Sequence, residues 1–487
     1  MNTHLLALQL MAAQGCLGAF DTIYHHEITE ALPQKASARL ELTIHATRAL
    51  IYSLLFVGLA AWEWHGAWAW VLVIVFGVEI VLTLWDFVVE DQTRLLPATE
   101  RVTHTVLAIN AGAFIALLAL NSSEWATLPT ALVWQPYGWL SVFLALCGVG
   151  VGLSGLRDAY AVWQLGRRKV QETAEQEERL HFAAAPQSVL VTGATGFIGQ
   201  QLVSALLADG HAVTVLTRQP KQAAWTFNGQ VRCIRSFDEL ADARRIDMVV
   251  NLAGARIVGK RWTDARKAAL RRSRVALTQD LVAWIARAQH KPRVLLSASA
   301  IGYYGVQPQG DATELTEESA PQAIFMSQLC QEWEAAARQA EKFGVQVGCM
   351  RFGLVFGHQG SLPQMLLPVR FGVGGPLGSG KQWVTWVHVR DVIRAIAHLA
   401  RRSEQGAVSG AYNFCAPEAI EQRRFAQVAG TVLHRPSVVP TPAFVMRALL
   451  GEQADLLVEG QRVAPRRLLD DGFSFRYPQL EGALRSL

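Results

Sequence analysis

The sequence predicts a helical transmembrane domain followed by an α/β domain, which is built on a doubly wound parallel sheet with a small C-terminal lobe. Three observations predict this. Long apolar runs fill the first third of the chain, a glycine-rich turn follows a β-rich run at residue 189, and strand and helix patterns alternate beyond it. At 487 residues the chain is long enough for more than one domain.

The composition excludes some classes of partner and site. Hydrophobic residues make up 51% of the chain, and the excess is concentrated in its first third. The net charge is +5, and no block of Lys and Arg alternates with aromatic residues, so a nucleic-acid partner is not expected. None of the six cysteines forms a C-x-x-C pair, which argues against zinc and disulfide frameworks and indicates a reducing compartment.

Residues 1–165 contain five apolar runs. Four of them approach the ~20 residues that a helix needs to cross a bilayer, at 47–62, 67–85, 104–120 and 138–156. The first run, 5–20, is short, so four or five spans are expected. Aromatic residues cluster at the ends of the runs, as at a membrane interface: Trp62, Trp64, Trp68, Trp85, Trp134, Tyr137 and Trp139. The alternative is a buried bundle of a soluble protein.

Loop charges predict the orientation of this domain. The loops near 63–66 and 121–137 contain no Lys or Arg. The basic residues lie instead at the other ends of the runs and after the last one: Lys35, Arg39, Arg48, Arg94, Arg101, Arg157, Arg167, Arg168 and Lys169. The positive-inside rule therefore predicts a multi-pass protein of the inner or plasma membrane with its C-terminal part in the cytoplasm. A charged segment at 166–186 is predicted to link the two parts.

An unusual set of ionisable residues lies at the cytoplasmic edges of the runs: Asp21, His25, His26, Glu27, Glu41, His45, Asp86, Glu90, Glu100 and His104, with Glu79 inside a run. Such residues are functional candidates, and His with carboxylate suits iron, manganese or zinc. Glu41 and His45, and likewise Glu100 and His104, are spaced to share a helix face. No H-x-x-x-H or E-x-x-H spacing occurs among them, so helix capping and interhelical pairing are favoured and no metal ligands are assigned.

A glycine-rich turn predicts the cofactor site. Val189–Thr192 reads as a strand, and an apolar helical pattern begins near Phe197. Gly193 permits a tight turn, Gly196 lets a pyrophosphate approach the backbone, and Gly199 lets the helix pack close to the strand. The helix N-terminus then offers N–H groups to phosphate. The predicted contacts are Gly193, Thr195, Gly196, Phe197, Ile198 and Gly199; the alternative is a purely structural turn.

The segments beyond the turn predict a parallel sheet of the Rossmann type. Strand patterns at 212–217, 246–252, 293–297 and 345–350 alternate with helical patterns at 264–288 and 322–342. The predicted domain covers 187–487, with a substrate lobe drawn mainly from 360–487. The second strand ends at Arg218, with Lys221 three residues on, and a cation there suits the 2′-phosphate of NADP. Two ordinary surface cations are the alternative.

Several segments resemble the extended short-chain dehydrogenase/reductases. They are T-G-A-T-G-F-I-G, Asn251-Leu-Ala-Gly254 and the runs at 296–305, 350–357 and 386–391. The runs at 260–263, 374–380, 433–436 and 472–475 are similar to an atypical, nucleoside-diphosphate-sugar epimerase-like subgroup of the NAD(P)-dependent epimerase/dehydratase family. The resemblance covers 187–487 only. It implies cofactor contacts at Asn251, Ala253, Gly254 and Gln328, and a catalytic serine at Ser299.

The chain departs from that family at its catalytic Y-x-x-x-K pair. No Tyr is followed four residues later by Lys; Ile324 stands at the Tyr position and Gln328 at the Lys position. Tyr303 and Tyr304 lie just beyond Ser299 and could supply a phenol. The alternative for these two residues is a packed aromatic pair at the strand end.

Three functions remain open from the sequence. The first is an NADP-dependent oxidoreductase or epimerase-like enzyme with Ser299, Tyr303 and Tyr304 as candidate catalytic residues and a small or lipid-soluble substrate. The second is a membrane domain with a metal or lipid function, served by a hydride donor. The third is a non-catalytic module that senses NADP. The oligomeric state is not readable from the sequence.

Overall fold

The computed structural model describes residues 3–22, 39–93, 98–175, 179–257, 261–454 and 458–487. The segments outside these ranges include the residues His25, His26, Glu27, Lys35, Arg94 and Lys260 discussed above, and the side chains of Arg167, Arg168 and Lys169 are likewise not described. The chain forms two compact units, Met1–Glu177 and Glu178–Leu487.

The first unit is a bundle of helices with one pair of short strands. Its described elements are α1 (Thr3–Asp21), α2 (Arg39–Ala60), β1 (Trp62–His65), α3 (Ala67–Thr93), α4 (Ala98–Trp125), β2 (Ala131–Trp134) and α5 (Trp139–Glu175). Strand β1 pairs antiparallel with β2. All five helices are long and apolar enough to cross a membrane. The run at 5–20 therefore forms a helix of sufficient length, α1.

The helices pack around an apolar core that includes Leu8, Phe56 and Phe114. Helix α1 packs on α4 and α5, and α2 packs on α5. Glycines on α5 permit this close approach to α2. A Cβ atom at Gly148 would lie 3.1 Å from the backbone nitrogen of Val57, so a larger residue there would separate the two helices.

Three of these helices extend further than the apolar runs predict. Helix α2 begins at Arg39, α3 ends at Thr93 and α4 begins at Ala98, whereas 21–46 and 86–103 were expected to be loops. The difference arises because the ionisable residues of these segments are buried on helix faces rather than solvated in loops; Glu41, Glu90 and Glu100 are all completely buried.

The second unit contains a seven-stranded parallel sheet with the order β12-β8-β7-β6-β3-β4-β5. Its strands are β3 (Ser188–Thr192), β4 (Ala212–Leu216), β5 (Arg232–Ile234), β6 (Met248–Asn251), β7 (Val294–Ala300), β8 (Gln346–Phe352) and β12 (Gly410–Phe414). All adjacent pairs are parallel. The predicted α/β class and parallel sheet are confirmed. The two edge strands β5 and β12 were not predicted.

Helices cover both faces of this sheet. They include α6 (Phe197–Ala208), α7 (Pro220–Thr226), α8 (Asp264–Arg271), α9 (Leu277–Arg287), α10 (Phe325–Arg338) and α12 (Val389–Glu404). The helical pattern predicted at 264–288 is α8 and α9 joined by a wider π-helical turn at Arg272–Ala276. Helix α10 ends at Arg338, where a 3₁₀ turn, Gln339–Phe343, replaces the end of the predicted helix.

A smaller lobe has its own apolar core around Phe356, Trp386 and Phe425. It comprises β9 (Leu354–Phe356), α11 (Leu362–Arg370), β10 (Trp383–Val384), β11 (Trp386–His388), β13 (Ile420–Glu421), α13 (Gln422–Leu433), α14 (Ala443–Leu450) and a short helix, Leu480–Arg485. Another short helix, Arg466–Asp470, packs against β12 of the sheet. The lobe is interrupted, because α12 and β12 return to the sheet. Upstream, Phe182 of the charged segment at 166–186 is fully buried in the core of the second unit.

Candidate functional site

The glycine turn after β3 has the geometry of a phosphate-binding loop. Gly193 has φ +70°, and a Cβ atom there would lie 2.7 Å from the carbonyl carbon of Leu252. A Cβ atom at Gly199 would lie 2.7 Å from the Cα of Ala194, so helix and turn meet only because this residue is glycine. Both glycines are therefore required by the fold itself.

Gly196 differs from the other two glycines of the turn. Its backbone is extended (φ −78°, ψ 172°), a conformation that any residue adopts. Among the described residues, the only atom within 4 Å of a Cβ placed there is the carbonyl oxygen of Gly193, at 3.2 Å. The fold leaves space above Gly196, and that space is where a ligand phosphate would approach.

Helix α6 begins directly behind this space. Gly196 is its N-cap residue, and no side chain caps the helix. The first-turn N–H groups are available to an anion as a result. Thr195, Phe197 and Ile198 are half-buried around the turn, so the structure brings together the residues predicted there.

Arg218 and Lys221 lie beyond the adjacent strand. Strand β4 pairs with β3 in parallel register, with Leu216 opposite Thr192, so both strands end at the same edge of the sheet. Arg218 and Lys221 are exposed, and within the described ranges neither forms a hydrogen bond or an ion pair. Both cations are thus available to a phosphate at this edge.

The side chain of Asn251 lies in a buried hydrogen-bond network. The Thr192 hydroxyl donates to its Oδ1 at 2.6 Å, and its Nδ2 donates to Thr278 at 2.9 Å and to Ser297 at 3.0 Å. The side chain is completely buried and both amide hydrogens are engaged. The side chain joins β6 to β3, β7 and α9, and the contact of this residue with a cofactor stays a prediction. Ala253 is held nearby, because its backbone N–H donates to the hydroxyl oxygen of Thr192 at 3.2 Å.

Arg274 is a site residue that the sequence did not reveal. It lies on the π-helical turn, and its guanidinium approaches within 3.1 Å of the position that a Cβ on the exposed Gly254 would take. It donates to the carbonyl of Ala255 at 2.9 Å, and no carboxylate in the described part of the chain pairs with it. Burial lowers its pKa to about 10. A buried guanidinium without a counter-ion favours an anion beside it.

Ser299 is part of a buried ion-pair network. Its hydroxyl donates to Oε1 of Glu334 at 2.7 Å. Arg351 forms a bidentate pair with the same carboxylate, from Nε at 2.7 Å and from Nη2 at 2.8 Å. The Ser299 proton is committed to Glu334, so only the lone pairs of its oxygen remain for a substrate. Glu334 and Arg351 are functional candidates that no local sequence pattern indicates.

The two tyrosines beyond Ser299 have different environments. Tyr304 is buried; its hydroxyl donates to Oδ1 of Asn413 at 2.7 Å and accepts from Arg351 at 2.9 Å. Burial raises the pKa of Tyr304 well above its ordinary value, which argues against Tyr304 as the acid. Tyr303 is only half-buried, and the guanidinium carbon of Arg351 lies 3.4 Å from its ring centroid. Tyr303 is therefore the better phenol candidate.

Gln328 and Ile324 occupy the start of α10. Ile324 is the N-cap residue of the helix, and Gln328 is exposed one turn later. In the described chain, the Gln328 side chain forms no hydrogen bond with another predicted site residue. An uncharged amide here cannot supply the cation that Lys gives in the related pattern, whereas the guanidinium of Arg351 lies against both tyrosine rings.

Comparisons with known proteins agree with this geometry. Residues 189–415 match the model of the NAD dependent epimerase/dehydratase family, and residues 441–487 match a domain of unknown function, DUF1731. Epimerase family protein YfhF of Bacillus subtilis is 34% identical over 304 residues, which are 62% of this chain and 97% of YfhF. The chloroplastic SDR39U1 homolog of Arabidopsis thaliana is 38% identical over 314 residues, 62% of this chain and 86% of the homolog.

A solved structure extends the likeness to three dimensions. The crystal structure of human epimerase family protein SDR39U1 (isoform 2) with NADPH is 35% identical, covers 61% of this chain and 98% of its own, and gives a TM-score of 0.55. The first unit lies outside both matched regions, 189–415 and 441–487. Through its second unit, the chain belongs to the NAD-dependent epimerase/dehydratase family.

Proposed function

We propose that the protein is a membrane-anchored, NADP-dependent oxidoreductase or epimerase-like enzyme that acts on a membrane-associated small molecule. One observation carries the proposal: the space above Gly196 and the unpartnered Arg218 lie at the same carboxyl edge of adjacent strands. This is the edge at which doubly wound sheets bind dinucleotides. The NADPH in the human SDR39U1 structure supports the choice of cofactor.

The residues around this edge suit the parts of the cofactor. The first turn of α6 would hold the pyrophosphate and Arg218 the 2′-phosphate, while NADP supplies hydride chemistry when bound. Arg274 would face a further negative charge on cofactor or substrate, because it is buried and pairs with no carboxylate among the described residues. Tyr303 would exchange a proton with a substrate oxygen. The Arg351 guanidinium holds the ring of Tyr303 by a cation–π contact and places a positive charge against it.

Replacing Arg218 by Ala is expected to remove the preference for NADP. A charge-assisted hydrogen bond contributes roughly 1.5–3 kcal/mol, which corresponds to about ten- to a hundredfold in affinity. NADP should weaken by that factor, whereas NAD should bind nearly unchanged because it has no 2′-phosphate. Calorimetric titration of the purified full chain with both cofactors measures this. Replacing the exposed Arg232 provides a control. Equal losses of affinity for NADP and NAD in the Arg218 variant would contradict a contact with the 2′-phosphate.

The outer surface of the first unit supports a membrane anchor. Large apolar side chains on α3 are strongly exposed, among them Trp70 (64%), Ile74 (64%) and Leu84 (60%). Ile109 of α4 and Leu146 of α5 are exposed to a similar degree, 69% and 65%. A contiguous apolar surface of this kind is unfavourable in water and favourable in lipid. The basic residues then favour a cytoplasmic second unit.

Oriented membrane vesicles test orientation and turnover together, because NADPH does not cross membranes. With the native lipids as the source of substrate, we expect NADPH oxidation in inside-out but not in right-side-out vesicles. Tyr303→Phe should lower the rate by about 10²- to 10⁴-fold, the usual contribution of a general acid, while leaving NADPH binding intact. Tyr160→Phe, an exposed tyrosine of α5, is the control.

Each contrary outcome has a definite meaning. Oxidation by right-side-out vesicles would contradict the cytoplasmic placement of the second unit. Full activity of the Tyr303 variant would remove Tyr303 as the acid. NADPH binding without oxidation in either preparation, even after a panel of lipid-soluble ketones and quinones is added, would favour the alternative of a module that senses NADP.

A further inference from the structure

The first unit gathers five potential metal ligands from three helices. Helix α2 contributes Glu41 and His45, α4 contributes Glu100 and His104, and α3 contributes Glu90. The ligand atoms of Glu41, His45 and Glu90 all lie within 4.8 Å of one another, and so do those of Glu90, Glu100 and His104. Glu90 belongs to both sets. We call these five residues the carboxylate–histidine cluster.

From this arrangement we propose that the carboxylate–histidine cluster binds two divalent transition-metal ions, one in each set, with Glu90 bridging them. The proposal is independent of the NADP site, which lies in the other unit. It rests on the convergence of different ligand types from separate helices, on their burial and on the groups that surround them.

The geometry suits metal coordination. Nε2 of His45 lies 3.7 Å from Oε1 of Glu90, and Nδ1 of His104 lies 3.2 Å from Oε2 of the same carboxylate. The two oxygens of Glu90 thus face different histidines. Nitrogen and oxygen ligands lie about 2.0–2.2 Å from a metal, so two ligands of one ion are at most about 4.4 Å apart. Small side-chain rotations would bring each set to this range.

The burial of the cluster requires positive charge. Glu41, Glu90 and Glu100 are completely inaccessible to solvent. Three carboxylates removed from water in one place are strongly unfavourable unless cations neutralise them. Two divalent ions bound among these carboxylates would supply four positive charges. Carboxylate with imidazole is a ligand set that suits iron, manganese and zinc.

The surroundings of His104 resemble the outer shell of a metal site. Oδ2 of Asp21 lies 3.2 Å from Nε2 of His104, the ring nitrogen opposite the one that faces Glu90. A carboxylate on the far nitrogen orients a metal-binding histidine. His45 differs, because Oδ2 of Asp86 lies 3.1 Å from its Nε2, the same nitrogen that faces Glu90, and Asp86 also pairs with Arg48 at 2.6 Å.

The two sets are also alike in sequence. Each consists of Glu-x-x-x-His on one helix, completed by the shared Glu90. Residues four apart on a helix project to the same face, so each helix presents one carboxylate and one imidazole together. The repeat places one carboxylate–imidazole pair on each side of Glu90, an arrangement that suits two ions.

Metal analysis of the purified full chain tests the proposal. Protein stripped with a chelator is titrated anaerobically with Fe²⁺, Mn²⁺, Zn²⁺ or Co²⁺, and bound metal is measured after desalting. For at least one of these ions we expect about two equivalents per chain, about one in Glu41→Gln and in Glu100→Gln, and almost none in Glu90→Gln. Bound metal should also raise the melting temperature of the wild-type chain but not of the Glu90 variant.

A matched control exists at the opposite end of the helices. There His4, Glu63 and His65 form ion pairs, but in the described residues they do not form a set of converging ligands. Glu63→Gln and His65→Asn should keep both equivalents. Monodisperse elution in detergent checks that each variant is folded. If Glu90→Gln fails this check, the conservative variant Glu90→Asp is loaded with Co²⁺ instead. Its cobalt absorption bands are expected to differ from those of the wild type.

Several results would overturn the proposal. Binding of less than a tenth of an equivalent by the wild type with all four ions would leave the cluster as an ion-pair network of protonated histidines. Equal losses in the Glu63 and Glu90 variants would show non-specific binding. A single equivalent that survives in Glu41→Gln but disappears in Glu100→Gln would overturn the two-ion arrangement.

Discussion

Replacing Gly196 by Val is expected to abolish NADPH binding and leave the fold intact. The extended backbone at this position accepts a β-branched residue, and a Cβ there meets only the Gly193 carbonyl oxygen among the described atoms. The added methyl groups would occupy the space that a pyrophosphate needs. We expect the affinity for NADPH and for NADH to fall by more than about a hundredfold, or about 3 kcal/mol.

Two further glycines make this experiment specific. Gly199→Val should prevent correct folding, because its Cβ would collide with the backbone of Ala194. Gly482→Val should bind NADPH normally, since no atom of the described chain lies within 4 Å of a Cβ there. Fluorescence titration with NADPH, beside circular dichroism of each variant, separates the three outcomes. Undiminished NADPH binding by Gly196→Val would show that the cofactor does not lie over this turn.

Replacing Glu334 by Gln is expected to destabilise the second unit strongly. Glu334 and Arg351 are both buried, and the amide would leave the guanidinium without a compensating charge. Removing one partner of a buried pair costs about 3–5 kcal/mol in the free energy of unfolding. The hydrogen bond from Ser299 depends on the same carboxylate, and the position of Arg351 over Tyr303 depends on it too. Turnover should therefore fall even where the variant remains folded.

The same helix provides the control for this prediction. Glu332 pairs with Arg271, but both side chains are 42% exposed. Exposed pairs contribute about 0–1 kcal/mol, so Glu332→Gln should have little effect on stability. Urea unfolding of the second unit alone is suitable, because relatives such as YfhF consist almost entirely of this unit. Similar losses for the two variants would mean that the buried network does not stabilise the fold.

The sequence predicted those features that depend on neighbouring residues. The turn at Gly193 and the strand before it were predictable because glycine spacing and apolar periodicity are local signals. The same holds for the position of Arg218, two residues beyond the end of β4, whereas its contact with a cofactor stays a prediction. The edge strand β12 was missed because its run, Gly410–Phe414, is short. It also lies with the preceding helix α12 inside the region 360–487, which was predicted as a lobe separate from the sheet.

Features that need distant residues could not be predicted. Nothing in the sequence around Ser299 indicates that its hydroxyl donates to Glu334, because that contact joins a strand end to a helix 35 positions away. Asn251 was assigned to the cofactor by resemblance, whereas its partners come from three other elements. The spacing of Glu41 and His45 suggested a shared helix face, but their meeting with Glu90 depends on how α2 and α3 pack.

The π-helical turn at Arg272–Ala276 restricts how this part of the chain can change in length. An α-helix rotates about 100° per residue, so deleting one residue from the turn would restore regular α-helical spacing and rotate everything beyond it. Leu281 and Ile285 pack in the core against the sheet and would then be rotated out of it. Leu270 precedes the turn and would keep its present contacts. Insertions and deletions should therefore be rare at this turn across related chains, even where the residues themselves vary.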